Sequence, residues 1–83
     1  MQKWIEIKTL NAIQDIVEVV PLKNIVHLSQ HGGTDPKILF NLKSQFQVYA
    51  NKQSVVTGHD TFSGETIELT YDNIIPWVLK KMD

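Results

Sequence analysis

Apolar and polar side chains alternate with a period of two in several separate runs of this chain. In Glu65-Thr66-Ile67-Glu68-Leu69-Thr70-Tyr71, Ile67, Leu69 and Tyr71 fall on one side, and Thr66, Glu68 and Thr70 on the other. Trp4-Ile5-Glu6-Ile7-Lys8-Thr9-Leu10 sets Ile5 and Ile7 against Glu6 and Lys8. Ile38, Phe40 and Leu42 align in the same way, and Phe46, Val48 and Ala50 repeat the pattern. Residues 53–57 extend the sheet. A period of two marks a strand with one face buried. Strands buried on one face belong mostly to antiparallel sheets.

The period changes near the C-terminus. Ile74, Ile75, Val78, Leu79 and Met82 form one helical stripe. Asp72 or Asn73 is the expected cap, and Pro76 is expected in the first turn, where a missing N–H matters least. Lys80 and Lys81 complement the helix C-terminus.

Two readings compete over residues 10–31. Leu10, Ile13, Val17 and Val20 fall at helical spacing, as do Leu22, Ile25, Val26 and Ser29 after Pro21. Gly32-Gly33 would stop such a helix. Against this, Asp15–Val20 and Ile25–Ser29 are rich in β-branched residues, which lose χ1 freedom in a helix. Pro21-Leu22-Lys23-Asn24 suits a bend between two strands. The balance favours strands. The expected fold class is α+β: a small curved, mainly antiparallel β-sheet, SH3-like or a small barrel, closed by one C-terminal helix.

With 83 residues there is room for a single domain, 1–83. A domain of this size hides only about 60–65% of its unfolded surface, so oligomerisation would help it. Cysteine is absent, which excludes disulfides, thiolate metal sites and a cysteine nucleophile. All eight basic residues are lysine, and the net charge is −1. Without arginine the chain lacks the usual fork for phosphate and guanine, which disfavours nucleic acid as a partner. No apolar run is long enough for a membrane span. Glu6 interrupts any signal-peptide core, so the cytoplasm is the expected location.

His27 and His31, four apart, would share a helix face as a zinc pair, but not automatically a strand and turn. No metal or cofactor is expected. The most chemical stretch is Thr57–Glu65, from which His59, Asp60, Thr61 and Ser63 are expected to contact a ligand. Its glycines and hydroxyls can cradle an anion. A catalytic triad would need His59, Asp60 and Ser63 to converge, which neighbours in one loop rarely do. His31, Gly33, Thr34 and Lys37 are the expected second ligand loop. In a symmetric oligomer, loops from two copies would build one pocket.

The run Asp15–Leu28 resembles the opening of LytTR DNA-binding domains, where a strand leads through a polar bend to a second apolar strand. Gly64–Leu69 with the helix after it is similar to the end of that family and of small FlbD-type proteins. The resemblance covers about half the chain and rests on strand alternation. It implies a sheet-plus-helix fold and, for LytTR, DNA contacts through basic and polar loops that typically include arginines, which this chain lacks. A DNA-binding role would require Lys23, Lys37, Lys43 and Lys52 to gather on one face. The leading expectation is a small non-catalytic binding or regulatory protein, homo-oligomeric through open sheet edges. It would dock on a partner protein or sequester a small, phosphorylated ligand, as a phage or mobile-element accessory protein does.

Overall fold

The computed structural model describes residues 2–10 and 13–82. Asn11 and Ala12, within the contested stretch, lie outside them. The fold is α+β, with seven strands and one C-terminal helix: β1 (Lys3–Thr9), β2 (Ile16–Pro21), β3 (Ile25–His31), β4 (Lys37–Leu42), β5 (Gln47–Asn51), β6 (Val55–Asp60), β7 (Glu65–Leu69) and α1 (Tyr71–Lys81). A single 3-10 turn, Leu22–Asn24, joins β2 to β3.

The strands divide into two antiparallel sheets rather than the single sheet expected. One has the order β2-β1-β6-β7 and the other β3-β4-β5. The chain changes sheets at Pro21 and the 3-10 turn. Proline supplies no N–H for a ladder to continue. Among the described residues the two sheets do not close into a barrel.

Alternation settles which face is buried. Ile5 and Ile7 of β1, Ile38 and Phe40 of β4, and Val56 of β6 are 1% exposed or less. Burying one such side chain contributes about 1.5–3 kcal/mol. Val20, Leu22, Ile25, Ala50 and Leu69 complete the sheet side of this core, and α1 covers it with Ile74, Trp77 and Val78. Phe46 departs from expectation. It lies in the β4–β5 turn, beside Gln45 at φ 72°, and is exposed. The residues 57–60 expected in a loop are the end of β6, and only 61–64 turn.

Within the contested stretch, residues 16–21 and 25–31 are strands rather than helix. β3 carries an extra residue, because Ile25 pairs with Leu42 and His27 with Asn41. Val26 is the bulged residue. The bulge puts Ile25 and Leu28 on one face at a spacing of three, which is why this strand carries a helical rhythm.

The helix begins two or three residues earlier than expected, with Thr70 at the N-cap. Pro76 therefore stands inside the helix, beyond its first turn. Among the described residues no helix is long and apolar enough to cross a membrane.

Candidate functional site

The β6–β7 turn uses its polar atoms on its own framework. Asp60, 4% exposed, accepts at Oδ1 from the backbone N–H of Phe62 (3.0 Å) and Ser63 (3.4 Å). Its Oδ2 accepts from Lys81 Nζ at 2.9 Å. The Ser63 hydroxyl donates to the Asp60 carbonyl at 3.5 Å and accepts from the Glu65 N–H at 3.3 Å. Thr61 donates to the Gln2 carbonyl through its N–H (2.7 Å) and its hydroxyl (3.0 Å). Gly64 closes the turn at φ 77°, a conformation that favours glycine.

His59 is not part of this cluster. Neighbours on a strand point to opposite faces. Asp60 faces α1, while the His59 ring stacks on its cross-strand partner Trp4 at 4.6 Å and 10°. The turn thus brings Asp60, Thr61 and Ser63 together and leaves His59 on the other face of the sheet.

Lys81 is the hub beneath the turn. Its Nζ lies 2.9 Å from Asp60 and 3.2 Å from Glu65 Oε1. Trp77 Nε1 donates to that same Glu65 oxygen at 3.0 Å. The Lys81 hydrogen bond holds the Asp60 carboxyl below its usual value. The Trp77 N–H, and then Lys81, do the same for Glu65. Asp60, followed by Glu65, raises Lys81. Lys3 Nζ donates to the Lys81 carbonyl at 2.9 Å and caps the helix C-terminus.

The second predicted loop does assemble in part. His31 and Lys37 are cross-strand partners at the end of the β3–β4 hairpin. Ser29 Oγ lies 3.3 Å from His31 Nε2, and Lys37 Nζ sits 5.8 Å from the Tyr49 ring centre. Gly33 takes φ 96° in the exposed turn beside Thr34. Among the described residues no three metal-ligating side chains cluster.

The four lysines required by a DNA-binding role divide into pairs. The N–H of Lys43 donates to the Asn24 carbonyl at 2.8 Å, which sets that turn beside Lys23. Lys37 pairs with Asn51, next to Lys52, at the other end of β4. A six-residue strand separates the pairs by about 20 Å.

A groove that the sequence reading missed runs along the exposed flank of α1. One hollow, about 420 Å³, has Pro21, Leu22 and Ile25 beneath it and Phe62 and Met82 beside it. Lys3 and Lys23 stand at this end. A second hollow, about 310 Å³, continues between β3 and α1, lined by Val26, Leu28, Ile75 and Leu79. Ile25 and Met82 belong to both, so the surface is continuous. Phe62, Val26, Leu79 and Met82 are 74%, 60%, 54% and 43% exposed.

Two signals for it stood in the sequence. Trp77 and Val78 join Ile74 in the core, so Leu79 and Met82 widen the apolar stripe beyond what one buried face requires. Phe62 is an aromatic residue in an otherwise polar turn. No protein-family model matches the chain, and the comparisons with curated proteins and with solved structures find no match either.

Proposed function

We propose that this chain is a small non-catalytic binding protein that docks a partner protein in the groove along α1. The observation that carries this reading is the continuity of the two hollows, where the exposed apolar side chains of Val26, Phe62, Leu79 and Met82 stand among Gln2, Lys3, Lys23, Lys81 and His27. Contiguous exposed apolar surface on a small chain marks an interaction site. The walls are too exposed for a small ligand, because small-molecule sites bury most of the ligand. A protein segment laid against α1 and β3 covers Leu79, Met82 and Val26 together.

The non-catalytic part of the reading rests on the β6–β7 turn. His59 and Asp60 face opposite ways, and the Asp60, Thr61 and Ser63 polar atoms hold Lys81, the turn and the Gln2 backbone. A general base needs a partner within hydrogen-bond reach of its reacting proton.

Native mass spectrometry of the protein purified from the cells that make it tests the reading. A non-covalent protein mass is expected, lost on denaturation. Leu79→Asp and Phe62→Ser should remove it while circular dichroism stays unchanged. A bare chain, or a partner that survives both substitutions, rejects the groove as the docking site.

A further inference from the structure

The β2 edge of the four-stranded sheet is open and apolar. In the order β2-β1-β6-β7, β2 pairs with β1 on one side, and no described strand pairs with it on the other. An open edge is a template for another strand. Ile16, Val17 and Val19 are 40%, 53% and 46% exposed, and they alternate across the two faces of the strand. Both faces of this edge are therefore apolar. The opposite edge differs, because β7 carries Glu65 and Glu68 within five residues. Glu18 is the one charge in β2.

We infer that β2 pairs antiparallel with β2 of a second copy about a two-fold axis, joining two four-stranded sheets into one. Three observations point to a second copy. First, antiparallel pairing about a two-fold needs a strand that complements itself. With the axis at Val17 or at Val19, that valine meets its own copy and Glu18 meets Ile16 or Val20, so β2 supplies its own partners. Second, the exposed apolar area is of the right order. Leu10 (57% exposed) and Ile13 (92%) adjoin Ile16, Val17 and Val19 along the chain. Together these five expose on the order of 400 Å² per copy, about half of one side of a standard interface. The strand backbone and its flanks supply the rest. Third, the chain is small, and a second copy extends the buried surface a small domain lacks.

The glutamate selects the register. With the axis at Glu18, two carboxylates would face each other, which disfavours that pairing. Shifting the axis to Val17 or Val19 sets each glutamate against an aliphatic partner and keeps every side chain on its own face.

Sedimentation velocity of the full chain between about 10 and 500 µM tests this. A species of twice 9.5 kDa is expected to form across that range. Val17→Lys and Val19→Lys replace exposed side chains, and each should weaken association at least tenfold with an unchanged circular dichroism spectrum. Hydrogen exchange needs no substitution: the alternate amides of residues 16–20 that point away from β1 should slow at least tenfold as concentration rises. A monomer at 500 µM overturns the proposal, as does exchange at β2 that ignores concentration. A dimer broken by Leu79→Asp but not by Val19→Lys overturns it too, and places self-association in the groove. The inference is independent of the groove's partner, because Val17 and Val19 line neither hollow.

Discussion

A Cβ atom on Gly58 would lie 2.8 Å from Cη2 of Trp77. Real Cβ atoms essentially never come so close, so the glycine is what lets the indole lie flat on β6. The ring has little room to yield, since Glu65 holds its N–H at 3.0 Å and the residue is buried. Gly58→Ala should therefore destabilise the fold by about 1–3 kcal/mol through overpacking. Urea denaturation checks it. Adding Trp77→Phe should recover part of the loss, because the two changes share one contact.

The Lys81 hub makes a prediction about pH. Asp60 and Glu65 sit below their ordinary 3.8 and 4.5 in the folded chain. Their contribution is present above those values and is lost as pH falls through the lower folded ones. Lys81 sits above its ordinary 10.5, so its contribution holds below that value and is lost as pH rises past the folded one. Lys81→Met leaves Asp60 buried without its cation. It should lower the melting temperature across neutral pH and flatten its fall in acid, because without Lys81 the two carboxyls lose much of what holds them below their ordinary values. Thermal melts from pH 2.5 to 7 read both effects, and an unchanged acid limb would contradict the assignment.

Much of this architecture was legible from alternation alone. The buried faces of β1 and β4 follow the period of two, and Ile5, Ile7, Ile38 and Phe40 are in the core as the pattern requires, whereas in β7 Leu69 is buried but Ile67, expected on the same side, is exposed. The β3 rhythm was ambiguous for a physical reason. A bulge at Val26 converts a spacing of two into three, which is also a helical spacing. Sheet membership was not legible, because alternation says which way a side chain points and not which strand lies beside it. The loop residues show the same limit. Asp60 and Ser63 look like ligand groups in sequence, but Lys81, 21 residues on, meets Asp60. Nothing local announces that pairing.

Tyr71 offers a test by subtraction. Its hydroxyl oxygen is buried, and no hydrogen-bond partner reaches it among the described residues. Removing a polar group that lacks a partner relieves a desolvation penalty. Tyr71→Phe should leave stability unchanged or raise it by up to about 1 kcal/mol. Differential scanning calorimetry decides, and a loss beyond 1 kcal/mol would show that the hydroxyl is satisfied in solution.

The Trp4–His59 stack makes a complementary prediction on the other face of the sheet. Aromatic pairs of this geometry contribute about 0.5–1.5 kcal/mol beyond the area they bury. His59→Ala should cost that much and shift the fluorescence of Trp4, while the Asp60–Lys81 pair on the opposite face keeps its acid dependence. A changed acid limb would mean the two faces are coupled.

The ladder between β1 and β6 joins Lys3 to Asp60, and four strands lie in the chain between them. Consequently β1 is made early and completed late. The hairpins of β3, β4 and β5 close over short turns, whereas β1 and β6 must first close a loop on the order of 50 residues. Such long-range pairing governs the speed of folding. On a ribosome adding about 5–20 residues per second, several seconds pass between the emergence of β1 and that of β6. Throughout that interval Ile5 and Ile7 wait for the strand and helix that cover them. The nascent chain's exposure to misassembly is thus set by the clock of its own synthesis.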